Sequence, residues 1–198
     1  MAARWGLVAG VDEVGRGALA GPVFVAAVIL PHHAAPEGID DSKRLSPAAR
    51  RRLAERIREV AVAWSVASSS VEEVDGVGIV EATRTAMRRA VEGLATAPGY
   101  VICDALAPEG LAMPVLAEVR ADARYRCVAA ASIVAKVARD QVMEELAASF
   151  PGYGWERNKG YGTAEHLAAL RTLGPSPLHR RSFAPVRVLA WNAGRATG

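Results

Sequence analysis

Hydrophobic residues near the N-terminus fall into two runs separated by a polar turn rich in glycine. The first run covers residues 7–11 and the second covers residues 23–30, with a proline on either side of the second run. Short apolar runs rich in β-branched residues are typical of buried strands. The pattern therefore predicts two strands that pair as a hairpin.

Helical and extended patterns then alternate along the chain. Ser46 and Pro47 are typical of a helix start, and apolar residues recur at positions 53, 57 and 60 with helical spacing. Residues 61–70 alternate as in a half-buried strand, with apolar side chains on one face at Val62, Trp64 and Val66. We therefore expect a helix followed by a third strand.

A second helix follows, because seven apolar residues form a stripe at helical spacing. They are Ile79, Ala82, Ala86, Met87, Ala90, Val91 and Leu94. Residues 100–103 then predict a fully apolar strand that ends at Asp104, and residues 113–119 predict a further strand. A long helix is expected over residues 127–150.

These elements predict an α/β fold with a mixed central sheet flanked by helices and a C-terminal helical and loop extension. Residues 1–150 form the expected core domain, and residues 151–198 form the extension around a short helix at 163–173. This tail mixes aromatic, glycine and basic residues. Such a tail is typical either of a loop-rich cap on the core or of a surface for sugars, bases and phosphates.

Composition narrows the class of protein. The chain has 198 residues, is 51% hydrophobic, and carries 24 Lys and Arg against 21 Asp and Glu, a net charge of +3. This excess is too small to indicate nucleic acid by itself. Cys103 and Cys127 lie in apolar surroundings without metal-site spacing, which favours reduced thiols. No signal peptide or membrane-spanning run is recognisable, so a soluble, cytoplasmic protein is expected.

Two adjacent carboxylates, Asp12 and Glu13, interrupt the first apolar region, and Arg16 is the one obvious cation nearby. Two acids against one base leave negative charge that a divalent metal would offset, because an unpaired charge is costly to desolvate. The same pattern is also typical of a solvated turn in which glycines supply positive φ angles. This stretch alone leaves both interpretations open.

A second carboxylate has the same position in the pattern, since Asp104 also ends a buried strand. If the first and fourth strands are neighbours, Asp12 and Asp104 converge at one edge of the sheet. Glu13 is nearby in sequence, and Asp122 could complete the group from the loop after the fifth strand. Oxygen ligands of this kind favour Mg²⁺ or Mn²⁺, and two such ions can promote phosphodiester hydrolysis.

One difficulty concerns Glu13. Adjacent residues of a strand point to opposite faces, so Asp12 and Glu13 share a metal only if the backbone departs from regular strand geometry. The glycines at positions 15 and 17 would allow such a departure.

Seven motifs together resemble ribonuclease HII in order and spacing over roughly residues 5 to 190. They are DEVGRG at 12–17, DSKRLS at 41–46, DGVGI with the following TRTAM, ICDAL around Asp104, AAASIVAKVARD at 129–140, NKGYGT at 158–163 and HRRSF at 179–183. The resemblance implies an RNase H-like fold. It also implies a metal-dependent endonuclease that cuts the RNA strand of RNA/DNA hybrids and nicks duplex DNA 5′ of a single ribonucleotide, leaving 3′-hydroxyl and 5′-phosphate ends.

The resemblance also assigns roles to residues. The metal-binding and catalytic carboxylates would be Asp12, Glu13, Asp104 and Asp122, holding two Mn²⁺ or Mg²⁺ ions. Gly15, Arg16 and Gly17 would contact the 2′-hydroxyl, which is the group that distinguishes RNA from DNA. The sugar would pack on Tyr161, and further substrate contacts would come from Ser42, Lys43, Lys159, Arg180 and Arg181. His179 is expected to be a structural partner or a contact to the DNA backbone.

The expected partners are RNA/DNA hybrids and ribonucleotide-containing duplex DNA. We expect the protein to be a monomer that does not associate with membranes. Two positions depart from the family pattern, because Ala105 and Ala121 stand where glycine is usual. Two other functions compete: a module that binds hybrids without cutting them, and the sister type of ribonuclease H that prefers long RNA tracts. The four carboxylates argue against the first, and DEVGRG with the tyrosine of KGYGT argues against the second.

Overall fold

Five strands form one mixed sheet in the computed structural model: β1 (Val8–Val14), β2 (Val23–Ile29), β3 (Ala63–Ser69), β4 (Tyr100–Asp104) and β5 (Val115–Glu118). Their order in the sheet is β3-β2-β1-β4-β5. Strand β1 is antiparallel to β2 and parallel to β4, and β4 is parallel to β5. The predicted hairpin and mixed α/β sheet are confirmed. The structure describes residues 6–31, 35–39 and 45–195.

Seven α-helices accompany the sheet in the described part of the chain. They are α1 (Pro47–Val60), α2 (Val71–Val77), α3 (Ile79–Glu92), α4 (Arg126–Ser149), α5 (Trp155–Asn158), α6 (Ala164–Leu173) and α7 (Ala184–Arg195). The helices predicted from the sequence are α1, α3, α4 and α6, and all four are confirmed. The sequence pattern did not indicate α5 or α7. None of the helices in the described ranges has the length and apolar character needed to span a bilayer.

Local side-chain chemistry sets where the helices begin. At the start of α1, the Ser46 hydroxyl accepts a hydrogen bond from the amide of Ala49, and Pro47 occupies the first turn. Helix α2 begins with a capping box, in which Ser70 and Glu73 each accept a hydrogen bond from the other's amide. These bonds satisfy amides that a helix start leaves without partners. The capping box makes α2 a helix separate from α3, which the apolar stripe did not reveal.

The chain folds into two compact units. The first, called the sheet unit here, comprises residues 1–14, 24–68 and 83–138, and the second, the tail unit, comprises residues 15–23, 69–82 and 139–198. The predicted division into domains at residue 150 remains a prediction. The tail unit joins the C-terminal segments to two earlier stretches, one of which is the glycine-rich turn after β1.

In the sheet unit, apolar side chains pack on both faces of the sheet. On one face, residues such as Val11 and Val101 contact the buried stripe of α3, including Met87. On the other face, residues such as Val28 contact Ile133 of α4. Burial of this kind provides most of the free energy that stabilises such a sheet. Both faces of β1 are therefore covered up to the point where its carboxylates begin.

The predicted face of β3 is less buried than expected. Trp64 is 41% exposed, and the guanidinium of Arg58 lies 4.9 Å from the centre of its ring. Strand β3 ends the sheet on this side. A cation over an aromatic ring therefore covers part of an edge strand.

The tail unit has its own apolar core. Trp155 is fully buried and packs with Met143, Tyr153 and Ala20. A second cluster joins Leu19 to residues of α6 and α7. Residues of the turn after β1 thus belong to the core of the tail unit.

Candidate active site

Asp12 and Asp104 lie at corresponding positions of two adjacent parallel strands. The register pairs Val11 of β1 with Cys103 of β4, and each aspartate is the next residue. Strand alternation places both on the sheet face that also carries Val8 and Ile102, opposite the face of Val11 and Cys103. The condition stated above, that β1 and β4 are neighbours, is met, and it places the two aspartates on one face at the ends of adjacent strands.

Asp12 is buried, with only 7% of the residue exposed. Its Oδ1 accepts a hydrogen bond from the Glu13 amide at 2.8 Å, and the Ser132 side chain on α4 provides a second hydrogen bond. Burial raises the pKa of Asp12 to about 7; these hydrogen bonds oppose the shift, and the charges of Glu13 and Asp104 add to it. A cation beside this carboxyl would favour its ionised form.

Glu13 lies on the opposite side of the strand. The β1–β2 ladder stays regular through the pairs Glu13 with Val25 and Val14 with Phe24, so the departure from strand geometry considered above is not found in this ladder. On this side of the strand the charge of Glu13 acts on Cys103. Burial raises the pKa of the Cys103 thiol to about 12, and the charges of Glu13 and Asp12 add to the shift. The Oε2 atom of Glu13 is buried and receives no hydrogen bond from a described residue, although the residue makes other interactions.

Asp122 lies on a 3-10 turn, Ala121–Ala123, that follows β5. The amide of Ala121 donates a hydrogen bond to Asp104 Oδ1 at 3.0 Å, which attaches this turn to the end of β4. Ala121 itself is fully buried. Asp122 is therefore adjacent in sequence to Ala121, whose amide is hydrogen-bonded to Asp104.

A residue with positive φ lies close in sequence to Asp104 and another lies close to Asp122. Arg120, before the turn, has φ 61°, and Ala105, directly after Asp104, has φ 54°. Positive φ in this range favours glycine, because Cβ then approaches the backbone. Ala105 is one of the two positions at which the family pattern led us to expect glycine, and the backbone conformation gives the physical reason.

The donor set fits a hard divalent cation. Asp12 and Asp104 supply carboxylate oxygens from one face, and such oxygens suit Mg²⁺ or Mn²⁺ rather than zinc. Within the described ranges, no three His, Cys, Asp or Glu side chains are grouped closely enough to hold a metal ion. The assignment of all four carboxylates as metal ligands therefore remains a prediction.

The glycine-rich turn belongs to the tail unit. Gly15 has φ 92°, and a Cβ atom at this position would lie 2.1 Å from Nε of Arg139, so a side chain there would clash. Gly17 is exposed, and a Cβ added there would meet nothing within 4 Å. Packing thus explains Gly15 but does not explain Gly17. Arg16 between them is half-buried and has interactions with other residues.

The NKGYGT segment is held by charged side chains. The guanidinium of Arg139 lies 5.3 Å from the centre of the Tyr161 ring, which is half-buried. Lys159 is 13% exposed and its ammonium pairs with Glu144 at 2.9 Å, with a further hydrogen bond to the carbonyl of Glu156. The Lys159 ammonium is engaged within the tail unit, so the expected direct contact with substrate does not fit its bonding.

The HRRSF segment divides into buried and exposed residues. Arg180 is fully buried and its nitrogens donate to main-chain carbonyls, so the expected direct contact with substrate does not fit its position. Arg181 is exposed, and its amide donates to the Asp75 carboxylate at 2.8 Å. Ser42 and Lys43 lie outside the described residues.

His179 is a structural partner, as one of the two expectations held. It is fully buried, and its Nε2 lies 3.0 Å from Nε2 of His166, while Nδ1 accepts a hydrogen bond from the Ser176 amide. His166 Nδ1 lies 2.9 Å from the Tyr161 carbonyl and therefore donates to it. The Nε2 atom of His166 accepts the indole N–H of Trp155 and is therefore unprotonated, so Nε2 of His179 donates to it. This network requires both imidazoles to be neutral.

Sequence reasoning missed several residues that these contacts single out. They are Ser132, Arg139, His166 and Asp75. Ser132 and Arg139 stand within the AAASIVAKVARD motif, where a serine and an arginine interrupt an apolar helix. A polar residue in such a pattern indicates a buried partner, but the partner is far away in sequence.

Comparison with known proteins places the chain among nucleases. A family model described as Ribonuclease HII matches residues 9–186. The ribonuclease HII of Jannaschia sp. is 54% identical over 185 residues, covering 91% of this chain and 91% of that protein.

Solved structures show the same fold. The ribonuclease H2 from Pyrococcus horikoshii OT3 superposes with a TM-score of 0.79 at 26% identity, covering 94% of this chain and 98% of that one. Bst-RNase HIII, solved in complex with Mn²⁺, has a TM-score of 0.71 at 23% identity, covering 96% of this chain and 70% of that one. The second similarity is informative for the fold alone.

Proposed function

The chain belongs to the ribonuclease HII family, and we propose that it nicks duplex DNA on the 5′ side of a single embedded ribonucleotide. Membership makes it a ribonuclease H, a metal-dependent endoribonuclease that cleaves the RNA strand of RNA/DNA hybrids. Our proposal adds the finer substrate and the chemistry. It predicts products with 3′-hydroxyl and 5′-phosphate ends.

The pair of Asp12 and Asp104 carries the proposal. Two carboxylates share one face at the ends of adjacent strands, and Asp12 is kept out of water. Divalent ions bound there would activate a water and stabilise the leaving oxygen of a phosphodiester. We assign Asp12, Asp104 and Asp122 to hold two such ions, Mn²⁺ or Mg²⁺. Glu13, which strand alternation places on the other side of β1, joins them only if the end of β1 leaves regular strand geometry when the metal binds. Ser132 orients the Asp12 carboxyl by its hydrogen bond.

Recognition of the ribose falls to the glycine turn and to Tyr161. Gly17 is exposed without any packing reason to be glycine, which suits the close approach of a sugar to the backbone. We propose that Gly15, Arg16 and Gly17 contact the 2′-hydroxyl, and that the Tyr161 ring packs against the sugar. The 2′-hydroxyl is the group by which a protein distinguishes RNA from DNA at one position.

Other surfaces have supporting roles in this proposal. Arg181, which is exposed, contacts phosphates, and Ser42 and Lys43 are assigned the same role from the resemblance. Residues 151–198 contribute to substrate binding as an extension of the core. We further propose that the protein acts as a monomer in the cytoplasm.

A binding module that does not cut is the competing function of another class. Negative charge facing phosphates weakens binding, so a pure binder gains nothing from two aspartates on one face. A carboxyl whose pKa burial raises to about 7 is also costly to keep ionised. Metal-dependent cleavage gives these groups a use.

Cleavage of a labelled DNA duplex with one ribonucleotide tests the proposal. Wild-type protein with Mg²⁺ or Mn²⁺ should give a single nick, and Asp104→Asn should lower its rate by about 100-fold or more. The asparagine oxygen can still accept the hydrogen bond from Ala121, so the fold and duplex binding should persist. Glu109→Gln, at an exposed carboxylate of the same unit, is the matched control and should keep full activity. Failure of folded wild-type protein to nick this duplex would contradict the proposal.

A further inference from the structure

Two buried arginines in the tail unit bind the glycine-rich turn through its carbonyl oxygens. Arg139 and Arg180 are both fully buried. Between them they donate to the carbonyls of four turn residues, Arg16, Ala20, Gly21 and Pro22. Burying a guanidinium is unfavourable unless its donors are satisfied, and here main-chain oxygens satisfy them.

Arg180 acts on the peptide inside the GRG sequence. Its Nη1 donates to the Arg16 carbonyl at 2.9 Å, while Nε and Nη2 both donate to the Gly21 carbonyl at 3.0 and 2.8 Å. In a trans peptide the carbonyl and the next amide point in opposite directions. The Gly17 N–H is therefore directed away from the buried guanidinium. A hydrogen bond to the carbonyl also polarises this N–H as a donor.

Arg139 joins the same turn to the Tyr161 segment. Its Nε and Nη2 donate to the carbonyls of Pro22 and Ala20 at 3.0 and 3.2 Å. Its Nη1 donates to the Lys159 carbonyl at 2.9 Å, and its guanidinium lies over the Tyr161 ring. One side chain thus contacts both elements that the proposed function assigns to ribose recognition.

Backbone hydrogen bonds reinforce this link. The amide of Leu19 donates to the Gly160 carbonyl at 2.8 Å, and the amide of Arg180 donates to the Leu19 carbonyl at 2.9 Å. Burial lowers the pKa of Arg180 to about 10, with the charge of Arg139 as a second cause. Burial likewise lowers the pKa of Arg139. A pKa near 10 keeps Arg180 protonated at neutral pH, so its fork of donors remains complete.

We propose that Arg180 and Arg139 are positioning residues for ribonucleotide recognition: Arg180 fixes the Arg16–Gly17 peptide, and Arg139 fixes the Tyr161 ring relative to the same turn. This inference rests on the proposed function. Neither arginine touches the substrate, because both are buried. They act by holding the groups that do.

The test compares binding of two duplexes in EDTA, one with a single ribonucleotide and one of DNA alone. Arg180→Lys keeps the charge but has a single nitrogen, which cannot reproduce a fork that serves two carbonyls. We expect the preference for the ribonucleotide duplex to fall about tenfold, as for loss of one oriented hydrogen bond. Arg139→Lys should have a similar effect. Arg171→Lys, at an exposed arginine of α6, is the control and should leave the preference unchanged.

A merely structural role predicts a different pattern. Loss of fold would weaken binding of both duplexes equally, as should Arg181→Ala if Arg181 contacts phosphates. Folded Arg180→Lys and Arg139→Lys proteins that keep the wild-type preference would overturn the inference. Absence of any preference in wild-type protein would instead contradict the proposed ribose recognition, and the two failures are thereby separate.

Amide hydrogen exchange of the wild-type protein provides a second test that needs no variant to fold. The amides of Leu19, Gly21 and Arg180 should exchange with one common free energy, since the arginines and the backbone bonds join them. The amide of Tyr161 should follow them. Opening of the turn at a clearly lower free energy than the Arg180 and Tyr161 segments would show that the arginines do not hold these elements together.

Discussion

Ala105 has a backbone conformation that glycine adopts more easily. Its φ is 54°, directly after Asp104. For a residue with a Cβ atom this conformation costs about 1–2 kcal/mol. Glycine avoids this strain but loses more conformational entropy on folding, which offsets part of the gain. We expect Ala105→Gly to raise the free energy of unfolding by up to about 1 kcal/mol.

Urea denaturation of both proteins measures this difference. Ala107→Gly, in the same loop but without a positive φ, is the matched control and should not stabilise the protein. A loss of stability in Ala105→Gly would show that the methyl group makes contacts worth more than the strain.

His179 makes stability depend on pH. Burial lowers its pKa to about 4, with the neighbouring His166 as a second cause, whereas an unfolded chain has a histidine pKa of about 6.5. The unfolded state therefore binds more protons between these values, and the free energy of unfolding falls as the pH is lowered through this window. The slope from one histidine is at most about 1.4 kcal/mol per pH unit.

Asp12 titrates in the same window with the opposite sign, since its pKa is raised. The contribution of His179 is therefore the difference between wild-type protein and His179→Asn, in which the amide oxygen can still accept from Ser176. The variant should be less stable at about pH 8 and should show a weaker loss of stability between the unfolded-state pKa of about 6.5 and the native pKa of about 4. An unchanged pH slope would mean that His179 does not titrate as its burial indicates.

Among the individual elements, α2 shows how a few side chains define a helix. Its capping box joins Ser70 and Glu73, and Asp75 accepts hydrogen bonds from the amides of Arg181 and Ser182. A seven-residue helix has little stability of its own, so these contacts matter more than propensity. Helix α2 thereby supports the start of the segment that leads into α7.

Removal of the cap should be measurable. Ser70→Ala should lower the free energy of unfolding by about 1 kcal/mol, because the Glu73 amide loses its acceptor. Ser68→Ala, at an exposed serine two residues earlier, serves as the control. Thermal unfolding measures the stability of both variants. Equal stability of Ser70→Ala and Ser68→Ala would contradict the role of the cap.

For the protein as a whole, metal binding should be linked to folding. A cation that binds the ionised carboxylates of the native state stabilises it by about 2.7 kcal/mol at roughly 100 times its dissociation constant. We expect Mg²⁺ or Mn²⁺ to raise the melting temperature of the wild-type protein. The raised pKa of Asp12 gives the physical reason, because burial and charge repulsion oppose its ionisation without a cation.

Asp12→Asn should remove this metal-dependent stabilisation. Without metal, the variant should be at least as stable as the wild type, because asparagine carries no charge to desolvate. Glu109→Gln should respond to metal as the wild type does. Equal stabilisation of all three proteins by metal would place the binding site elsewhere. This measurement needs no substrate and no activity.

Local patterns in the chain were enough to predict most of the elements and the mixed α/β class of the sheet. Turn residues and apolar periodicity act over a few positions, so they indicated the five strands and four of the helices. The adjacency of β1 and β4 was a condition that only the folded sheet could meet. From that adjacency followed the pairing of Asp12 with Asp104, because parallel strands end at the same edge.

The environment of the other polar residues depended on how distant segments pack. Arg180 and Lys159 looked like surface cations in HRRSF and NKGYGT, yet Arg180 is buried against carbonyls and Lys159 is paired with Glu144. A sequence pattern shows which side chains share a face, but not which distant segment covers that face. The partners of these side chains come from segments up to 164 positions away, so their burial depends on packing that no local pattern encodes.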